Sequence, residues 1–467
     1  MNGKCESSKK QSITPMLDNN FKPAAIKNKR FIQHVLKSGK GVPLTIILER
    51  GDGLISIYKT SVFNDNENMD KFNYFYAERL IKTLLWSRGG WKITIVGSNK
   101  IGEYIKKVYK LGGLREFDAK FMSNIYEKPF MVEIRNIDEI PSVEDKSISL
   151  GGHLDGCRIG FDLGASDRKV SAVINGKVVF SEEVVWNPAK QTDPCYHYHE
   201  IMSMLNRAAV HMPCVQAIGG SSAGVYINNR VMSASIFRAI SPDIFKSKVK
   251  NIFLDIQKEW NVPLKVINDG EVTALAGSMS LKKNAVLGIA LGSSEAGGYI
   301  NKKGNINDWL NELAFVPVDL NSEAPIDEWS GDMGCGVQYL SQLAAIRLAK
   351  RAGIVLDGKQ TPADKLKYIQ ELMARGDERA EKVFETIGCY LGYSIAYYAQ
   401  FYEIEIVLIL GRVTSGEGGQ IILKKANQVL DEEFPELAGK ITLHLPDESS
   451  RRIGQSIAAA SLPLISN

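Results

Sequence analysis

The chain lacks what marks several large protein classes. No apolar run reaches the ~18 residues that a membrane-spanning helix needs. Residues 1–10 are polar, without the apolar core of a secretion signal. The six cysteines, at positions 5, 157, 195, 214, 335 and 389, form no Cys-x-x-Cys pair. That argues against a disulfide framework and fits reduced thiols in a cytoplasmic protein. The charge balance is only mildly positive, +4 from 57 Lys and Arg against 53 Asp and Glu. Nucleic-acid binding needs basic charge gathered on one face. The basic run at residues 27–30 is short enough to be a solvated surface, and no clear helix-turn-helix pattern appears. No complete Gly-x-Gly-x-x-Gly with a following acid is present, which argues against a nicotinamide-dependent enzyme.

What remains is an ordinary globular composition, 44% hydrophobic and 24% charged, over 467 residues, enough for two or three cores. Residues 1–28 are polar and expected to be loosely ordered. An α/β domain of unstated role is expected over 29–150. It has strands at 44–48 and 54–58 joined by an Asp-Gly turn, a helical pattern over 72–86 stopped by Gly89-Gly90, and a strand at 91–96. A helix over 100–111 follows, capped by Ser98 or Asn99. The Gly97-Ser98-Asn99 turn could hold a phosphate at a helix N-terminus, but a plain structural turn is the commoner meaning of so short a signal. Past a linker at 141–147, strands and small-residue turns dominate. The tail at 450–462 reads as a closing helix.

Two segments carry chemistry. Arg158-Ile-Gly-Phe-Asp-Leu-Gly-Ala-Ser-Asp-Arg-Lys-Val-Ser-Ala-Val173 reads as an apolar strand, a tight turn with Asp162 and Gly164, and a returning strand. Backbone N–H groups, small hydroxyls and one acid in such a turn suit a phosphate and its metal. Val266-Ile-Asn-Asp-Gly-Glu271 is another apolar strand, presenting Asn268 and Asp269 at its carboxyl end. A carboxylate there is placed to take a proton from a substrate hydroxyl. Alone, Asn268-Asp269 reads as a capped turn; with the hairpin it points to phosphoryl transfer from a nucleotide. Lys169 reads as a phosphate contact or, equally, as a solvated strand end. Cys195, His197 and His199 have metal-like spacing but diverge on a helix, so no metal site is expected there. Tyr390, Tyr393, Tyr397 and Tyr398 recur at helical spacing and are expected in the core.

Further along stand the loop with Gly219, Gly220, Ser222 and Gly224, the turn Gly292-Ser-Ser-Glu-Ala-Gly-Gly298, and a buried strand at 406–410 followed by Gly411-Arg-Val-Thr-Ser415. In this order the segments resemble the superfamily of actin, sugar kinases and heat-shock ATPases. Within it they resemble the ROK family (repressors, open reading frames and sugar kinases), over roughly residues 157–462. The resemblance implies an α/β, two-lobed actin-like ATPase (ribonuclease H-like) fold with the N-terminal α/β domain added. The first lobe would span 151–268, completed by a C-terminal helix at 447–467, and the second 269–446. It implies ATP-dependent phosphorylation of a hydroxyl on a hexose or modified hexose, with Asp269 as general base. Asn268, Glu312, Gly220, Ser222 and Gly224 would bind the sugar. Gly164, Ala165, Ser166, Gly292, Ser293, Ser294 and Gly411 would hold the nucleotide, and Asp162 would hold Mg2+, directly or through water. The implied partners are a small-molecule sugar and a nucleotide; the charge balance and the missing helix-turn-helix pattern argue for no nucleic acid, and the lack of a long apolar run for no membrane. Family members are often homodimers.

The departures are as specific. Asn311-Glu-Leu-Ala-Phe315 stands where the family has Gly-Glu-(Leu/Ile)-Gly-His, so Phe315 replaces a histidine that serves sugar and zinc. In Gly331-Asp-Met-Gly-Cys-Gly-Val-Gln-Tyr-Leu-Ser341 only Cys335 remains of a cysteine-rich zinc loop, and Val337 or Gln338 replaces a second sugar-binding glutamate. One thiolate cannot hold tetrahedral zinc, so no zinc site is expected. Glu295 in a phosphate turn would repel phosphate unless it faces away or meets a cation. Arg412 replaces a glycine where close backbone approach is normal, with stacking on a base as its other role. The alternative reading is a non-catalytic sugar-binding or regulatory protein with lost or weak transfer.

Overall fold

A computed structural model of the chain describes residues 12–465 except 66, 137–139, 142–146, 149–150, 165 and 447. Cys5 and Ala165 lie outside the described residues. Two compact units divide the chain. One comprises Met1–Lys146, Ala290–Ala296 and Trp309–Leu445, the other Ser147–Ile289, Gly297–Asp308 and Pro446–Asn467.

In the first unit, β-branched and aliphatic residues build a four-stranded sheet in the order Ile55–Phe63, Gly41–Glu49, Lys92–Val96, Met131–Arg135. The expected Asp-Gly hairpin pairs the first two strands antiparallel through the short turn Gly51–Gly53. Helix Asp70–Arg88 carries the 72–86 pattern, and helix Asn99–Tyr109 is capped by Ser98, whose hydroxyl accepts from the Ile101 N–H. Ser98 Oγ also donates to Asp65 Oδ1 at 2.6 Å. A Cβ on Gly97, at φ 108°, would lie 2.2 Å from the Pro43 carbonyl oxygen. The Gly97 turn is thus a close-packed structural turn with the carboxylate of Asp65 already at the helix N-terminus.

Residues 12–28 correct the expectation of a loosely ordered start. Phe21, 2% exposed, sits among the rings of Tyr339, Tyr390 and Tyr393, with centroids 4.7–6.0 Å away. Asp18 accepts from the Tyr390 hydroxyl at 2.5 Å and pairs with Arg351 at 2.7 Å. One aromatic anchor and one paired acid hold a segment that is polar on average, and helix Ala24–Ser38 follows it. The tyrosines of helix Glu378–Tyr398 are buried as their spacing implies, and their hydroxyls are bonded. Tyr393 donates to the Ile13 carbonyl at 2.8 Å, and Tyr397 pairs with Thr83 Oγ1 at 2.7 Å.

The second unit holds a five-stranded sheet in the order Leu264–Asn268, Ala217–Ser222, Cys157–Leu163, Asp167–Ile174, Lys177–Val185. The first three strands run parallel and the last two return as antiparallel hairpins. Alternation along Cys157–Leu163 divides its side chains between the two faces. Ile159, Phe161 and Leu163 join one core with helices Pro194–Ala209 and Ile252–Trp260. On the opposite face, Cβ atoms on Gly160 and Gly219 would lie 2.1 Å from the Ser456 carbonyl oxygen and 1.7 Å from that of Ala459. Helix Glu448–Ala460 therefore rests backbone to backbone on these two strands. Among the described residues no helix is long and apolar enough to cross a membrane, and all five cysteines are free.

Candidate active site

The parallel strands of the second unit end together, and their register gathers the polar residues. Asp162 lies beside Ser221, and Asn268 beside Ser222. Asp162 Oδ1 accepts from Ser221 Oγ at 2.6 Å. Lys169 Nζ is 3.1 Å from Asp167 Oδ1 and 3.9 Å from Asp162 Oδ2, so it is a partnered strand residue rather than a solvated one. Burial raises the pKa of Asp162, while the Ser221 bond and the Lys169 charge pull it down.

Asn268 caps helix Asp269–Leu281, its Oδ1 accepting from the Gly270 N–H at 2.8 Å. Its Nδ2 donates to the Gly224 carbonyl at 2.8 Å. The capped-turn reading and the chemical one thus coexist, because the cap is what fixes Asn268 and leaves Asp269 at the strand end. Asp269 is pushed up to about 6, first by burial and then by the charge of Asp162. A Cβ on Gly270 would lie 2.3 Å from the Gly297 carbonyl oxygen, and one on Gly298 2.1 Å from that of Gly270. The helix start therefore touches the Gly297-Gly298 backbone directly. Tyr226 donates to Ser222 Oγ at 2.7 Å, closing the small-residue loop.

At the first hairpin the Gly164 N–H closes its own turn on the Asp167 carbonyl at 2.9 Å. Trp186 braces it, its indole N–H donating to the Gly164 carbonyl at 2.8 Å and its backbone N–H to the Ser166 carbonyl at 3.1 Å. Neither the sequence pattern nor the resemblance pointed to Ser221 or Trp186. His197 is buried, with Nε2 3.0 Å from the Ile236 carbonyl and 3.2 Å from that of Pro188. Cys195 and His199 are exposed, so the three diverge as a helix requires.

The remaining candidates belong to the first unit. At the second turn the Gly292 N–H bonds to the Ser294 carbonyl at 2.9 Å, and the Gln342 N–H to the Gly292 carbonyl at 2.9 Å. Glu295 faces inward and is 2% exposed. Its Oε1 accepts from the Tyr398 hydroxyl at 2.9 Å. Burial pushes it up to about 8, which favours the neutral acid and relieves the repulsion that a charged carboxylate would exert on phosphate. Gly411, at φ 96°, would put a Cβ 2.2 Å from the Leu291 carbonyl oxygen and must be glycine. Arg412 is exposed, with its carbonyl accepting from Gln370 Nε2 at 2.7 Å, so close approach is needed at 411 and not at 412.

Glu312 is half-buried, and its N–H donates to the Trp86 carbonyl at 2.9 Å. Asn311, at φ 52°, occupies the family's glycine position in the left-handed conformation that Asn tolerates best after glycine. Phe315 stacks on Trp86 with centroids 4.1 Å apart and lies beside Phe117 and Phe121. The histidine's place is taken by a packing contact. Cys335 is fully buried, its thiol pushed up to about 12 by burial, with Sγ 3.8 Å from the Asp332 carbonyl. Asp332 in turn meets Arg79 at 3.0 Å, Lys82 at 3.0 Å and Arg115 at 2.8 Å. The helix 70–88 showed apolar spacing in the sequence, but nothing there marked its charged residues as buried.

No protein-family model matches the chain, and no curated protein matches its sequence. Solved structures do. One is a ROK family transcriptional regulator described as a homolog of the E. coli MLC protein, 17% identical, with a TM-score of 0.55 over 66% of this chain and 79% of that one. Another is the ROK hexokinase from Thermus thermophilus, 16% identical, with a TM-score of 0.50 over 65% of this chain and 97% of that one. The chain has the actin-like ATPase α/β fold of ROK proteins, with an additional α/β region preceding it in the sequence.

Proposed function

We propose that this chain transfers the γ-phosphoryl group of ATP to a hydroxyl of a hexose or modified hexose. The observation that carries the reading is the pairing of Asp162 and Asp269 at the carboxyl ends of parallel strands in one sheet, where the charge of Asp162 helps raise Asp269 to about 6. A carboxylate of that basicity is ionised at pH 7 yet able to accept the hydroxyl proton as the new O–P bond forms. Asn268, fixed through Gly224 and Gly270, would orient neighbouring hydroxyls. Within the second unit Gly220, Ser222 and Gly224 would line the sugar at the same strand ends; within the first unit Glu312 is the candidate ligand for a sugar hydroxyl. For phosphate, the better assignment is the Ser166 N–H in the second unit and, in the first unit, those of Ser293 and Ser294, because the N–H groups of Gly164 and Gly292 close their own turns. Gly411 would let the nucleotide approach the backbone.

Asp162 suits a hard divalent cation. It offers oxygen donors, and as a buried acid its ionised form gains from positive charge. Mg2+ held there would neutralise phosphate charge during transfer. A cytoplasmic setting and a homodimer belong to the same proposal.

The test is a panel of hexoses and N-acetylated hexosamines with ATP and Mg2+, monitoring ADP. Turnover on one sugar, abolished in Asp269→Asn, supports the kinase. Saturable sugar binding without ADP above background sinks it in favour of a sugar-responsive regulator. That second reading draws on Val337 and Gln338, both buried, one of which stands where the resemblance puts a sugar-binding glutamate.

A further inference from the structure

We infer that helix Asp70–Arg88 is a positioning element for the Glu312 segment, with Trp86 as its central positioning residue; the inference rests on the sugar-binding role proposed for Glu312. The last carbonyls of a helix have no partner within it and must be satisfied from outside. Here two of them are satisfied by the candidate sugar-binding segment. The Trp86 carbonyl accepts the Glu312 N–H and the Ser87 carbonyl accepts the Asn311 N–H, each at 2.9 Å. Glu312 is thereby docked on the helix end.

Asn311 shows that the docking is constrained. It is 3% exposed and sits at φ 52°, a conformation that costs a non-glycine residue about 1 kcal/mol. Such a conformation persists where the surroundings over-determine it. Its backbone is held by Ser87 and its side-chain Oδ1 by the Tyr402 hydroxyl at 3.0 Å. Trp86 fixes the same segment once more and is itself anchored. Its ring stacks on Phe315, three residues past Glu312, and its indole N–H is anchored on Asp118 Oδ1 at 2.8 Å.

Asp118 opens a closed set of buried charges. It pairs with Lys82 at 3.2 Å, and Lys82 and Arg79 each meet Asp332 at 3.0 Å. Arg115 meets Asp332 at 2.8 Å and Glu78 at 2.5 Å, and Glu78 returns to Arg79 at 2.7 Å. Three cations balance three anions. A buried set like this adds little net stability over an apolar one, but removing one member strands a charge. Its effect is to fix geometry. It fastens Asp332, and with it the Cys335 loop, to the helix that also carries the Glu312 docking contacts.

The experiment compares the full-length protein with Trp86→Leu, which loses ring stack and indole, and Trp86→Phe, which keeps an aromatic face. Hydrogen exchange is followed on peptides covering 308–316 and 264–275. The sugar KM is measured on whichever of D-glucose, D-mannose and their N-acetylated amino analogues the wild type phosphorylates. In Trp86→Leu the amides of 311–312 should exchange at least tenfold faster while the Asp269 peptide is unchanged. The sugar KM should rise about tenfold, with kcat and the ATP KM within twofold, and Trp86→Phe should recover most of the loss. A folded Trp86→Leu that keeps both the 311–312 protection and the sugar KM overturns the inference. If Trp86→Leu does not fold, Asp118→Asn is judged by the same criteria. If the wild type phosphorylates no sugar, the functional proposal fails and the exchange result alone decides the positioning role.

Discussion

Replacing Glu295 with glutamine tests whether the second turn holds a neutral acid. The folded protein keeps the proton on Glu295 up to about pH 8, because the side chain is buried and the Tyr398 hydroxyl compensates only part of that burial. The unfolded chain releases it near 4.5, the ordinary value of a glutamate carboxyl. Between those values the folded state binds more protons than the unfolded state, so stability falls as pH rises. The contribution is complete below about pH 4.5 and is lost as pH climbs through 8. At about 1.36 kcal/mol per pKa unit, the shift sets a ceiling of about 5 kcal/mol. Glutamine has the same shape, keeps a carbonyl oxygen for Tyr398, and does not titrate. Urea unfolding at a series of pH values should therefore find the two proteins within about 1 kcal/mol of each other at pH 5. By pH 8.5 Glu295→Gln should be the more stable by several kcal/mol. A difference that stays flat from pH 5 to 8.5 would refute the protonated-acid account and restore the repulsive carboxylate in the turn.

Asp269→Asn should abolish phosphoryl transfer while leaving sugar binding measurable by calorimetry, because it removes the base and keeps the helix cap. In the wild type, kcat/KM should rise with pH through about 6, since the base works deprotonated. Asp162→Asn should move the pKa of Asp269 downward by removing the neighbouring charge; an Asp269 carboxyl carbon shift that titrates unchanged in NMR would break the link between the two acids. Gly219→Ala forces a methyl against the Ala459 carbonyl oxygen. It should cost about 1–3 kcal/mol and expose the closing helix to proteolysis; an unchanged urea midpoint would contradict that packing.

The second unit was largely legible because its signals are local. Strand alternation, the turn at Gly164 and the Asn268 cap each lie within a few residues, and the parallel register then brings Asp162, Ser221 and Asn268 together. The first unit was less legible because its decisive contacts are distant. Arg79 finds Asp332 at a separation of 253 positions, and a charged residue in a helical pattern reads as solvent-facing until its partner is known. The same holds for the tyrosines. Their spacing predicted burial, but Tyr390 and Tyr393 needed Asp18 and Ile13, from a segment whose average polarity suggested disorder. Glu295 was misleading for the opposite reason. Its position implied a charge, and its burial works against that charge despite the bond from the Tyr398 hydroxyl.

Three positions in the ROK-like segments share one anchor. Asn311, Phe315 and Cys335 lie on two segments tied to helix Asp70–Arg88, by carbonyls at Trp86 and Ser87, by the Trp86 stack, and by the Asp332 ion cluster. A metal fixes a loop with few ligands from nearby residues, whereas a balanced ion cluster needs a second element to supply the opposing charges. The N-terminal region supplies that element through Glu78, Arg79, Lys82, Arg115 and Asp118. In this chain the loop is thus held by ion pairs and packing from that helix. The acids proposed to perform the transfer, Asp162 and Asp269, lie in the other unit. Asn311, Phe315 and Cys335 therefore do not weigh against the chemistry proposed for those two acids.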